Sequence, residues 1–295
     1  LNFAFGSAAS TLERPLSRVA PVVLPAWIST FTFRRRVWLA GAMAKVSLTT
    51  IVRHCDRLLR TAQLHDWERA ANGLQVENRG HVTRIAAAVD GSLATVRAAI
   101  DQNADLLLVH HGLFWNPSHP WTGKRYALLR LLLDHDLAVY SSHLPLDVHP
   151  RLGNNAQLCA KLGWRDLKPF FRFKDQNLGL LTRTRIAREE LRRRLALVLK
   201  SEPLVLPGGP AVCQRIGVVT GGAGEQLRLA ASEGIDTFIT GEGPHWTYAL
   251  AEELGVNVFY GGHYATETFG VKALAEHLAR KFGLEWVFLD RPTGL

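Results

Sequence analysis

The chain has 295 residues, 47% hydrophobic and 21% charged, which is material for one large core or two modest ones and excludes a fibrous repeat or a disordered chain. The net charge is +9, but residues 1–42 hold five arginines against one acid, so the remainder carries only +5, without the basic–aromatic interleaving of a nucleic-acid footprint. Cys55, Cys159 and Cys213 stand far apart with no CxxC pair, which gives no support to a cysteine zinc site or an iron–sulfur cluster and fits a reducing, cytoplasmic compartment.

Residues 1–43 read as an extension outside the core, with prolines at 15, 21 and 25 and no sustained period. The only methionine is Met43, so two origins stay open: sequence upstream of a start at Met43, or a genuine extension whose arginines and scarce acids resemble a targeting peptide. No stretch approaches 18 continuous apolar residues, so no membrane span is expected.

The spacing then predicts a helix over 47–61, with Leu48, Ile51, Val52, Cys55, Leu58 and Leu59 on one stripe and Ser47 as N-cap. A strand over 82–89 leads to a helix capped by Ser92 and running through Ile100. Strand 105–109, helix 123–135 and strand 137–141 follow. The stretch 165–213 is hardest to read; it offers a helix from Arg185 to Leu199 and a turn at Pro207–Pro210. The second half resumes the alternation with strand 215–219, helix 225–233, strand 236–240 and a helix opening near Pro244 and ending near Gly255. Strand 257–260, helix 267–281 and strand 286–289 complete it. Strands alternating with helices predict an α/β fold of two related lobes with mainly parallel or mixed sheets. The expected boundaries are 44–164 for the first lobe, 165–213 for a connecting region and 214–295 for the second lobe.

An internal repeat places the chemistry. Arg84-Ile85 stands 21 residues before Asp105, and Arg215-Ile216 stands 21 before Asp236. Each aspartate precedes a tryptophan, Trp115 or Trp246, by ten residues. His143 and Asp147 are four apart in one half, and His263 and Glu267 four apart in the other. In parallel sheets functional groups collect at the carboxyl ends of strands, and His110, His111, His143, Asp147, His263 and Glu267 all sit there. Lobes packed face to face would bring both sets into one cleft. Imidazoles and carboxylates together suit Zn, Fe, Mn or a related divalent ion. His110 and His111 could serve different ions, with Asp147 or Glu267 bridging two cations about 3.5–4 Å apart. His149 and His119 read as exposed or supporting residues near the site. Glycines 221, 222 and 224 resemble a phosphate-cradling loop only loosely, since no P-loop lysine or full GxGxxG accompanies them.

At these residues the chain resembles the dinuclear-metal, hexameric proteins known as GTP cyclohydrolase I type 2 homologues. The likeness runs over about residues 46–290. It is carried by Asn72-Gly73-Leu74-Gln75-Val76, by DLLLVHHG at 105–112, by SSHLPLDVHPRLGNN at 141–155, by Thr240-Gly241-Glu242 with His245, and by GGHYATETFG at 261–270. The family's threonine after the histidine of the second long motif is Leu144 here. The resemblance implies two divalent ions per subunit on His110, His111, Asp147, His263 and Glu267, and Glu242 and His245 near substrate or in proton transfer. It also implies a homohexamer acting on a small molecule. The expected function is a metal-dependent hydrolase of a small, nucleotide-like substrate. GTP ring opening and a non-enzymatic metal-binding or assembly role stand as alternatives.

Overall fold

The computed structural model describes residues 45–68, 70–114 and 120–295. The expected extension at 1–43, Trp115 and His119 lie outside the described residues.

Strand β1 (Val46–Ser47) enters α1 (Leu48–Leu59), which buries Leu48, Ile51, Cys55 and Leu59 on one face. Next come β2 (Gly73–Val76), β3 (His81–Val82), β4 (Arg84–Asp90) and α2 (Leu93–Asp101). Ser92 caps α2 as expected: its hydroxyl accepts the Thr95 N–H, and the Thr95 hydroxyl accepts the Ser92 N–H. β5 (Leu106–His111), α3 (Gly123–Asp134), β6 (Ala138–Ser141), the single turn α4 (Leu144–Asp147) and α5 (Asn154–Lys161) follow.

The stretch that was hardest to read holds a long hairpin, β7 (Leu167–Phe173) and β8 (Gln176–Ala187), then α6 (Arg188–Leu199) and β9 (Leu204–Pro207). Arg185 and Ile186, expected in the helix, instead close β8, where Ile186 pairs with Cys213. The chain ends with β10 (Val212–Val218), α7 (Leu227–Ser232), β11 (Thr237–Thr240), α8 (Thr247–Leu254), β12 (Asn257–Tyr260), α9 (His263–Phe282) and β13 (Glu285–Phe288).

The sheets are ordered β13-β4-β5-β6-β2 and β7-β8-β10-β11-β12-β9. In each, three consecutive strands run parallel (β4-β5-β6 and β10-β11-β12). In each, the short strand preceding them in the chain pairs antiparallel with the last of the three. The lobes are therefore related, and the 21-residue offset has a structural cause. Asp105 accepts the N–H groups of Thr83 and Arg84, while Arg84 donates to the Gln102 carbonyl. Asp236 accepts those of Gln214 and Arg215, while Arg215 donates to the Glu233 carbonyl. Each pair ties the entry of one parallel strand to the entry of the next.

The lobes also exchange helices. α9 leaves the last parallel strand of the second lobe, yet Val271, Leu274, Ala275 and Leu278 pack into the first lobe's core with Ile85, Ala87, Leu106 and Leu108. α5 leaves the first lobe, yet Leu158 and Cys159 pack with Ile216, Val218 and Phe259 of the second. The segments that begin these crossings carry Asp147 and Glu267. Among the described residues no helix is long and apolar enough to cross a membrane.

Candidate metal centre

His110 and His111 end β5, the central strand of the first sheet. Successive residues of a strand leave it in different directions. His110 is fully buried; its Nδ1–H donates to the Ser142 carbonyl at 2.9 Å, and its Nε2 lies 3.5 Å from Asp147 Oδ2 and 3.4 Å from Glu267 Oε1. The parallel register sets Asp90 opposite His111, so that His111 Nδ1–H donates to Asp90 Oδ1 at 2.8 Å. His111 Nε2 is then 3.2 Å from Glu267 Oε2.

The other groups come from the crossing segments. α4 is one turn long, and its Asp147 N–H donates to the His143 carbonyl at 3.2 Å, which stacks the two side chains' positions on one face. α9 begins at His263, four residues before its expected start, because Gly262 with φ 91° admits the sharp entry. His263 and Glu267 therefore share the first turn of the helix; His263 Nε2 is 3.2 Å from Glu267 Oε2, and its Nδ1–H donates to Glu242 Oε1 at 2.7 Å.

Glu267 sits at the centre. Gly221, at φ +74°, lies so close that a Cβ there would collide with Glu267 Oε1. The glycine after β10 thus clears room for a carboxylate, which is a packing reason for a residue that loosely resembled a phosphate loop. Burial resists ionisation of Glu267, but His110, His111 and His263 outweigh it and hold the carboxyl well below its usual range. Burial likewise disfavours a charged imidazole, yet Asp147 and Glu267 raise His110 well above its ordinary value. For His111, Asp90 and Glu267 raise it against burial; for His263, Glu267 and then Glu242 push it up to about 9.

A buried cluster of this kind is costly unless its charges are matched. Two atoms remain unmatched: His110 Nε2 and Glu267 Oε2 are buried and have no hydrogen-bond partner. Three sets of side chains offer ligand atoms within 4.8 Å of one another, namely His110, Asp147 and Glu267; His111, His263 and Glu267; and His110, His111 and His143. In all four histidines Nδ1 faces an acceptor (Ser142, Asp90, Asp66 or Glu242), which directs each Nε2 lone pair toward the cluster. The donor set and the orphaned atoms fit a divalent cation.

All five side chains expected as metal ligands come together here. His143, a strand-end candidate that was not among the five expected ligands, joins them. The matching His-x-x-x-acid pairs were the signal for it, since the other pair contributes both members. Glu242 is spent on His263 and is half exposed, and His245 is exposed on the loop before α8. His149 does not reach the cluster. It is buried rather than exposed, and its Nδ1 accepts the N–H groups of Arg151 and Leu152. The NGLQV stretch acts through hydrogen bonds: Asn72 Oδ1 accepts the His143 N–H at 2.7 Å, and Gln75 Oε1 accepts the Leu113 N–H at 2.7 Å, just past the double histidine.

The chain is similar to proteins described as GTP cyclohydrolase 1 type 2 homolog. One from Deinococcus radiodurans is 40% identical over 248 residues, covering 83% of this chain and 93% of that protein. One from Halobacterium salinarum is 42% identical over 249 residues, covering 82% and 97%. Among solved structures, protein ybgI, described as of unknown function, superposes with a TM-score of 0.79 at 35% identity, covering 85% of this chain and all of its own. Residues 46–293 match the Duf34/NIF3 (NGG1p interacting factor 3) family, and with this fold and these relatives the chain belongs to it.

Proposed function

We propose that this protein holds two divalent cations and hydrolyses a small, nucleotide-like substrate beside them. The observation that carries the proposal is the division of Glu267. One oxygen lies 3.4 Å from His110 Nε2, and the other lies 3.2 Å from both His111 Nε2 and His263 Nε2. In this reading His110, Asp147 and Glu267 hold one ion, and His111, His263 and Glu267 hold the other. Two such ions would supply Lewis acidity and a water made acidic enough to attack at neutral pH.

The chain's own groups prepare the site. Asp90 and Glu242 keep the Nδ1 protons of His111 and His263, so the opposite nitrogens stay available as electron-pair donors. Asn154 holds Asp147 from behind. Glu242, through its bond to His263, borders the cluster, and Glu242 and His245 are the groups proposed to contact substrate or move its proton. Imidazole and carboxylate suit Zn, Fe and Mn alike, so the ligands do not select among them.

The relatives' name makes GTP the first compound to try, and opening of its guanine ring is the specific form of this proposal. A homohexamer in the cytoplasm is its expected setting, read by light scattering and by fractionation. The test is metal analysis followed by turnover assays of Zn-, Mn- and Fe-loaded protein on GTP, other nucleotides, phosphoesters and cyclic amides. Turnover that disappears in Glu267→Ala, with assembly intact, supports the hydrolase. Cations bound without turnover of any substrate would favour a metal-binding interaction protein instead.

A further inference from the structure

A second network touches the centre from the side of His143 and has its roots in the other lobe. Asp66, in the loop between α1 and β2, keeps its side chain only 6% exposed and accepts His143 Nδ1–H at 2.8 Å. It also accepts the Asn72 side-chain amide at 2.8 Å, the Trp67 N–H at 2.7 Å and the Leu144 N–H at 3.1 Å. Four donors on one carboxylate fix its position. They also leave it ionised, with burial overcome chiefly by His143.

Among its described residues, the loop that carries Asp66 contains no helix or extended strand of its own between α1 and β2. Its flanks are instead gripped by the β7–β8 hairpin of the second sheet. Gln176, the first residue of β8, accepts the His65 N–H at 3.2 Å and donates back to the His65 carbonyl at 2.5 Å. That is the bonding a strand neighbour would provide, supplied by a side chain. On the other flank the Trp67 ring packs against Phe173 with centroids 5.1 Å apart. Phe173 and Gln176 face each other at the hairpin tip. The residues on both sides of Asp66 are therefore clamped by one hairpin, which is built from the stretch the sequence made hardest to read.

We propose that this clamp sets the geometry of the metal centre: Gln176 and Phe173 of the second lobe hold the 65–67 segment, and through Asp66 they position His143 against His110 and His111. Gln176, Phe173 and Asp66 are positioning residues, because none of them belongs to the clusters that could hold a cation. The proposal rests on the metal-binding reading above. Its consequence is that cation affinity on the histidine side depends on contacts made by a hairpin in the other lobe.

The test uses the full chain stripped of metal and titrated with cobalt(II) alone, followed by calorimetry and by the visible ligand-field spectrum. Asp66→Ala and His143→Ala are each expected to weaken binding of one cobalt ion by about 10- to 100-fold, the usual cost of losing a group that orients a ligand. Gln176→Ala and Phe173→Ala are expected to weaken the same ion to a smaller extent and to shift the same band, with thermal melting held near wild type. The decisive comparison is a double-mutant cycle. If Gln176 acts through His143, then Gln176→Ala costs nothing further in a His143→Ala background. Additive losses, or wild-type affinity and spectrum in Gln176→Ala and His143→Ala, would overturn the clamp while leaving the metal centre standing. Wild-type protein that takes up no cobalt would overturn both. Gln176 bonds at an exposed site, so its variant keeps the test available should Asp66→Ala fail to fold.

Discussion

Asn154 joins Asp147 to Gly270: its side-chain amide donates to Asp147 Oδ1 at 2.7 Å, and its carbonyl oxygen accepts the Gly270 N–H at 2.6 Å. Asn154 opens α5 and Gly270 lies within α9, so this one amide sits where the exchanged helices meet. It couples helix packing to the orientation of a candidate ligand.

Asn154→Ala should therefore change two quantities at once. Loss of the bond behind Asp147 is expected to reduce metal affinity by about 10- to 100-fold. The Gly270 N–H loses its side-chain acceptor, which is expected to cost about 0.5–1.5 kcal/mol of stability. Metal titration and urea unfolding of the same preparation separate the two.

Gly270→Ala tests the helix crossing from the other side. A Cβ there would lie 2.9 Å from Asn154 Oδ1 and 3.1 Å from Leu146, and both neighbours are fully buried. The gain in helix propensity from alanine is outweighed by about 1–3 kcal/mol of overpacking, so the melting temperature should fall.

The repeat makes a paired expectation. Asp105→Ala and Asp236→Ala each leave two strand-entry N–H groups without their carboxylate acceptor. Both should lower stability by about 1–3 kcal/mol in denaturant unfolding, and by similar amounts, although the two residues are in different lobes.

Much of this was legible beforehand. The offset from Arg84 to Asp105 recurs from Arg215 to Asp236 because one hydrogen-bonding pattern at strand entries fixes both intervals. The ligand candidates were legible because each ends a strand or opens a helix. What stayed hidden depends on contacts between distant segments. Arg185 and Ile186 run directly into the helical pattern of α6, but Ile186 pairs with Cys213 of β10, which keeps this end of β8 extended. The helical pattern of α9 was visible only from 267, since its first turn opens on a glycine pair and mixes His263 and Thr266 with Tyr264 and Ala265, too short a stretch to show a period. Asp66 carries no local pattern, and its role exists only once the β7–β8 hairpin holds it beside His143.

Proton competition gives the pH dependence. In metal-free protein His263 is raised to about 9 from an ordinary value of 6.5, burial being outweighed by Glu267 and Glu242. A raised folded-state value means that this contribution to stability is complete below 6.5 and is lost as pH climbs through about 9. Cation binding needs the deprotonated imidazole, so it should release protons at pH 7, and apparent affinity should rise with pH until about 9. Calorimetry in buffers of different ionisation enthalpy measures that release. Binding with no proton release at neutral pH would contradict the charge pattern of the site.

The most direct measurement is anomalous diffraction from crystals soaked in a zinc or manganese salt, recorded at the metal edge. Two peaks are expected, one against His110, Asp147 and Glu267 and one against His111, His263 and Glu267, with the pair lost in Glu267→Ala crystals. A cluster free of anomalous signal in saturating metal, or ions bound only elsewhere on the chain, would contradict the dinuclear centre.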